Sequence, residues 1–250
     1  MLDLRGVVKR YGTFTAVAGL DLAVAAGQIH GFLGPNGAGK TTTMKMVAGL
    51  VRPTAGTITV DGIDVTKDPL AVKARIGYVP DRPHLYERLS ALEYMYFIAG
   101  LYRLDRDAAI ADSHRLLALF GLGERIDQLI ESFSHGMKQR LVMASVLLHR
   151  PRLLIVDEPM VGLDPRGARL LKDVLRQEAH ARGLAVLLST HTLEVADELC
   201  DVVTVIHRGR LVARGTPAEL RAGAGGQRLE AVFLQLTEEA EAAAEAARFE

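Results

Sequence analysis

The densest chemistry in the chain is the run Gly34, Pro35, Asn36, Gly37, Ala38, Gly39, Lys40, Thr41, Thr42. It satisfies G-x-x-x-x-G-K-[ST] directly after the apolar run Ile29 to Leu33 and directly before TTTMKMVAGL. A strand before and a helix after are the context that this motif needs to hold phosphate. The glycines let the backbone curl so that successive N–H groups converge on phosphate oxygens. The start of the following helix adds a favourable field. Lys40 would neutralise charge on β- and γ-phosphates, and the Thr41 hydroxyl would ligate Mg²⁺. A Gly-rich turn with a surface lysine is the alternative, and it does not call for the flanking strand and helix.

Three further groups could act on phosphate or another anion. Leu153 to Val156 is an apolar run ending in Asp157 and Glu158. Carboxylates at the carboxyl end of a core strand fall in the usual ligand crevice of an α/β sheet. Asp157 would then hold Mg²⁺ and Glu158 would orient, or take a proton from, an attacking water. Ser189, Thr190 and His191 close the next apolar run, AVLLS. From there His191 could reach the γ-phosphate edge and stabilise developing charge. In FSHGMKQR, residues 133–140, Ser134 and Gly136 open a helix-like run, Leu141 to Leu148, that stops at Pro151. A hydroxyl with free backbone N–H groups at a helix start makes an anion site, or simply a cap.

These groups need a scaffold of alternating strands and helices. Strand-like runs are Leu2 to Val8, Leu20 to Val24, Ile29 to Leu33, Thr57 to Val60, Leu153 to Val156, Ala185 to Ser189 and Val202 to Ile206. Between Leu85 and Arg150 the spacing becomes helical, with Leu92, Met95, Tyr96 and Ile98 as one stripe and Leu116, Leu117 and Phe120 as another. Strand–helix–strand order implies a mostly parallel sheet with crossover helices. The helical stretch is then an insertion within one α/β domain. After Ala222 a GAGG run reads as a hinge, LEAVFLQL as an amphipathic piece, and EEAEAAAEAARFE as a solvated acidic helix.

Composition narrows the classes. With 250 residues and 49% hydrophobic side chains, the chain can bury a real core. Thirty basic and thirty acidic side chains cancel, which argues against a nucleic-acid partner. Cys200, the single cysteine, lies in an apolar-flanked stretch and is expected to be a buried structural thiol. MLDLRGVVKR has no apolar segment of the secretory kind, and no apolar run is long enough to span a membrane.

The ordered set of motifs resembles the nucleotide-binding subunit of ABC transporters over residues 1 to about 220. Tyr11 matches the aromatic residue on which adenine stacks. GPNGAGKT matches Walker A, LLIVDEP matches Walker B, Gly162 to Pro165 the D-loop, and His191 the switch histidine. FSHGMKQR matches the family signature, commonly LSGGQ. The resemblance implies a P-loop NTPase (RecA-like) α/β core, residues 1–84 and 151–220, with an N-terminal antiparallel β subdomain. It further implies an inserted α-helical subdomain, 85–150, and a C-terminal extension, 221–250. It implies that ATP and Mg²⁺ bind, and that Ser134, His135, Gly136 and Met137 meet ATP held by a second copy. Head-to-tail homodimerisation, coupling across the interface by Asp164, and docking of a separate membrane permease on 82–103 follow from the same resemblance. The chain would then sit on the cytoplasmic face of the membrane.

Three positions depart from the family pattern. His135 and Met137 replace the common Gly and Gln, and His135 is expected to point away from phosphate. Asp81 stands where Gln is usual; a carboxylate can ligate Mg²⁺ but cannot donate a hydrogen bond. Val161 removes a hydroxyl before GLD. Together with the tail, the first two resemble the bacterial exporter branch for drugs and antibiotics. The alternatives are an importer ATPase, or a soluble ABC protein acting on nucleic acid or ribosomes. Proteins of the latter kind usually carry paired motor domains or basic extensions. A kinase or GTPase would leave the signature and His191 unexplained.

Overall fold

A computed structural model describes residues 1–82, 84–223, 231 and 233. The chain begins with the hairpin β1 (Leu2–Tyr11) and β2 (Phe14–Val24), followed by β3 (Ile29–Leu33), α1 (Lys40–Val47), β4 (Ala55–Val60), β5 (Ile63–Asp64), α2 (Pro69–Lys73) and β6 (Ile76–Val79). Then come α3 (Ala91–Leu101), α4 (Arg106–Leu119) and α5 (His135–Leu148). β7 (Leu153–Asp157), α6 (Pro165–Arg176), β8 (Ala185–Thr190), α7 (Leu193–Leu199), β9 (Val202–His207), β10 (Arg210–Gly215) and α8 (Pro217–Gly223) complete it. β1, β2 and β4 run past the sequence-based bounds because their outer residues are largely exposed and mix polar and small side chains, which hides the apolar signal.

Two sheets form. The smaller, in order β2-β1-β4-β5, is antiparallel and points Leu2, Leu4, Leu22, Val24, Ile58 and Val60 inward. The larger has order β10-β9-β3-β8-β7-β6; its strands are parallel apart from β10 at one edge. β3, β7 and β8 are buried at every residue, as parallel strands covered on both faces must be. Alternation splits their side chains between two cores. Phe32, Ile155 and Leu187 face the small sheet and α1; Leu33, Val156 and Leu188 face the helices α5, α6 and α7. That second core continues without a break into α3 and α4 through Met95, Leu117, Phe120 and Leu141.

Local chemistry starts the helices. Ser90 and Glu93 form a reciprocal capping box at α3, and Asp105 caps α4. Asp164, followed by Pro165, caps α6. The face buried by α3 is Ala91, Tyr94, Met95 and Ala99, with Tyr96 38% exposed. This corrects the expected stripe: the i, i+3, i+4, i+8 series starts at Ala91, and Tyr96 stands about 100° from Met95 around the helix. Leu116, Leu117 and Phe120 are all buried as expected. Cys200 is buried too, its thiol pushed up to about 12 by burial and by Asp201. A Cβ on Gly31 would come within 2.8 Å of its Sγ, so the thiol is a packing group. Among the described residues no helix is long and apolar enough to cross a membrane. The expected hinge and acidic helix after Ala222 lie almost wholly outside the described residues.

Candidate functional site

Strand order brings the candidate groups together. β3, β8, β7 and β6 are consecutive neighbours, and the loops leaving their carboxyl ends carry the glycine loop, His191, Glu158 and Asp81 in that order. Such an edge is where α/β sheets hold ligands. A cleft of about 440 Å³ opens there. It is lined by Pro35, Asn36, Gly37, Gly39, Lys40, Thr41, Thr42, Asp81, Asp157, Glu158 and His191, with Phe14, Ala16 and Val161.

The glycine loop is clamped from below. A Cβ on Gly34 would lie 2.3 Å from the Ile206 carbonyl oxygen, and one on Gly39 would lie 2.5 Å from that of Ala16. Gly39 also has φ 107°, which favours glycine. These two glycines fix the loop to β9 and β2; Gly37, with φ 80° and open space around it, shapes the rim. Ala38 is buried beneath the loop, and its carbonyl accepts the Gly209 N–H at 2.9 Å. Lys40 folds back, donating to the carbonyls of Gly34 at 2.6 Å and Pro35 at 3.2 Å. Burial holds its ammonium below the usual lysine range, while Glu158 and Asp157 pull the other way.

Across the cleft Asp157 is 2% exposed and accepts a hydrogen bond from the Ser189 hydroxyl. Glu158 has φ 51°, a left-handed conformation that costs a non-glycine residue ~1–2 kcal/mol. Its carboxylate lies 2.9 Å from Nδ1 of His191 and accepts that residue's backbone N–H at 3.4 Å. The two residues expected to face the γ-phosphate therefore touch each other.

Other candidates lie elsewhere. Tyr11 does not line the cleft; Lys9 Nζ sits 4.8 Å from its ring centroid. Its hairpin partner Phe14, 61% exposed, does line it. Ser134, His135, Gly136 and Met137 line no part of the cleft. Ser134 caps α5, accepting the Met137 N–H at 3.3 Å. The His135 ring lies on the D-loop: a Cβ on Gly162 would be 2.4 Å from its Cδ2. Asp164 accepts the Gly167 N–H at 2.9 Å, holding the first turn of α6. Sequence reasoning passed over Phe14, Ala16 and the full reach of Val161. An aromatic at the tip of a hairpin leading into the glycine loop was the signal for Phe14.

Comparison with known proteins identifies the family. A family model described as ABC transporter matches residues 17–161. A daunorubicin resistance ATP-binding protein of Streptomyces coeruleorubidus is 41% identical over 232 residues, which is 93% of this chain and 73% of that protein. A Nod factor export ATP-binding protein I of Burkholderia orbicola is 40% identical, over 88% of this chain and 72% of its own. A solved structure described as the ATP binding subunit of an ABC transporter superposes with a TM-score of 0.89 at 33% identity, over 95% of this chain and 99% of its own. Motif order, strand order and whole-length likeness lead to one assignment: the chain belongs to the ABC transporter family.

Proposed function

We propose that this chain is the ATP-binding and ATP-hydrolysing subunit of an exporter whose membrane permease is a separate chain. The observation that carries the reading is the convergence of the glycine loop, Asp157, Glu158 and His191 on one cleft. The names of its relatives, which refer to drug resistance and Nod factor export, favour an exporter over an importer or a nucleic-acid ATPase.

The loop N–H groups and Lys40 would bind the phosphates of ATP, and Asn36, Gly37, Thr41 and Thr42 complete the rim. To do so Lys40 must leave the carbonyls of Gly34 and Pro35, which keep it folded back. Three carboxylates against one lysine make the cleft acidic, so a triphosphate needs a cation beside it. Thr41, Asp157 and Asp81 are the residues that would hold Mg²⁺. Two carboxylates and a hydroxyl beside phosphate oxygens are the hard oxygen donors that Mg²⁺ takes. When bound, Mg²⁺ supplies charge neutralisation at the phosphates. Glu158 would orient and deprotonate the attacking water, and His191, in contact with it, would hold that carboxylate and stabilise charge on the γ-phosphate. Phe14 offers a ring for the base from the cleft wall, beside the Tyr11 that the family pattern points to.

The signature turn stands apart from its own cleft, as a site for the ATP of a second copy would. Two such copies would close head to tail around two nucleotides, with Asp164 beside the seam. For the permease, a groove of about 360 Å³ between sheet and helical lobe is lined by Leu50, Tyr78, His84, Ile98, Tyr102 and His149 among others. Tyr86 and Phe97, in edge-to-face contact at 5.0 Å, stand exposed in the 82–103 segment. Exposed aromatics of this kind anchor interfaces, whereas Tyr94 from the same segment is spent on the core. Docking there would hold the chain on the cytoplasmic face of a membrane.

The test is Glu158→Gln. ATP binding should persist, phosphate release should fall ~10²–10⁴-fold, and a dimer should appear on gel filtration with ATP. Unchanged hydrolysis by a monomer would remove the general-base role. Copurification of a permease from membranes tests the exporter assignment separately.

A further inference from the structure

Ser189 is fully buried, and neither the family motifs nor the proposed mechanism gives it a task. Parallel pairing sets it directly beside Asp157 in the β7–β8 register. Register partners on neighbouring parallel strands point to the same face, so the hydroxyl and the carboxylate share one site. The Ser189 hydroxyl donates its single proton to Asp157 Oδ1. It also accepts the Glu158 N–H at 3.2 Å, and the Ser189 carbonyl accepts the same N–H at 3.2 Å. One residue therefore holds a side-chain oxygen of Asp157 and the backbone of the left-handed Glu158. The next two residues, Thr190 and His191, lead to the imidazole that meets the Glu158 carboxylate.

We propose that Ser189 is a positioning residue for ATP hydrolysis, fixing the orientation of the Asp157 carboxylate and the turn that aims Glu158. Because a hydroxyl has one proton and accepts through lone pairs, its donation to Oδ1 leaves the other Asp157 oxygen for a cation. The acceptance from Glu158 ties the general base to the same anchor. The proposal rests on the ATPase reading above. Its direct consequence lies in cation affinity rather than in nucleotide affinity.

The experiment uses the full chain as wild type, Ser189→Ala, Ser189→Thr and Ser189→Val. Thr and Val have nearly the same shape and differ by one hydroxyl, so their comparison remains decisive where Ala disturbs folding. Mn²⁺, visible by electron paramagnetic resonance, is titrated in the presence of a non-hydrolysable ATP analogue. Fluorescent nucleotide binding without metal and steady-state ATPase are measured alongside. Ala and Val should weaken Mn²⁺ binding ~10-fold and lower kcat at least as much, with metal-free nucleotide affinity within ~2-fold of wild type. Thr should restore both. Mn²⁺ affinity in Val equal to that in Thr would overturn the proposal. So would a Val chain that unfolds where the Thr chain folds, because the hydroxyl would then serve stability alone. A wild type that binds neither nucleotide nor Mn²⁺ would instead defeat the ATPase reading, a result distinct from either.

Discussion

The glycine loop and the signature turn are both helix starts suited to anions, yet the chain builds them in opposite ways. The glycine loop opens α1 without a side-chain cap, is held on β2 and β9 by close glycine contacts, and faces carboxylates from two neighbouring strands. The signature turn opens α5 with an exposed Ser134 cap and rests against Gly162 and Leu163 of the D-loop. One site is equipped by its own chain with lysine, hydroxyl and acids. The other offers a cap, backbone N–H groups and a contact to the loop that follows Glu158. A helix start becomes a reaction site only where the fold brings other elements to face it.

The largest effect should come from separating the two turns. Lys40→Ala should weaken ATP binding ~100-fold in a single chain. Ser134→Arg should leave that single-site affinity nearly unchanged while hydrolysis falls more than ~100-fold, read by fluorescent nucleotide titration and phosphate release. If affinity collapses in Ser134→Arg, the turn serves its own cleft and the contrast fails.

The contact between signature turn and D-loop is tested next. Gly162→Ala places a Cβ against His135 at φ 77°, and should cost ~1–3 kcal/mol, visible as a lowered Tm. Adding His135→Gly should recover the steric part and leave the backbone part.

A smaller effect decides which aromatic serves the cleft. Phe14→Ala should weaken ATP binding ~2–10-fold by isothermal titration, and Tyr11→Ala less, because Phe14 lines the cleft and Tyr11 does not. A larger loss at Tyr11 would restore the family expectation and require the hairpin tip to move on binding.

At neutral pH the smallest effect lies away from both turns. Burial, aided by Arg214, pushes His30 down to about 3, and its Nε2 pairs with Thr204 Oγ1 at 2.8 Å. The unfolded chain takes up this proton below the ordinary histidine value of 6.5, whereas the folded chain stays neutral until about 3. Stability contributed by neutral His30 is therefore present above 6.5 and is lost as pH falls through that window, at up to ~1.4 kcal/mol per unit. Urea titrations of His30→Leu should show a flatter acid limb than wild type.

Much of the fold was legible because the informative residues are dictated locally. The runs at Leu153, Ala185 and Val202 have the near-continuous apolar character of covered parallel strands, and the glycine loop announces its strand and helix. The facing of α3 was not legible, because Tyr94 and Tyr96 are equally aromatic and only burial in the core beside Ser145 of α5 selects Tyr94. The same holds for the hairpin tip, where Tyr11 and Phe14 lie three residues apart on paired strands.

By itself the sequence determined which residues are candidates for the chemistry. Lys40, Asp157, Glu158 and His191 carry charges and protons whose types and order already point to phosphate transfer. Tertiary structure decided which of them meet. Strand order places His191 on Glu158 and Ser189 on Asp157, and the packing of α5 places His135 on Gly162, pairs separated by 27 residues or more in the chain. Such contacts depend on sheet register and on how helices pack across it, and these are set by burial throughout the domain rather than by any local run of residues.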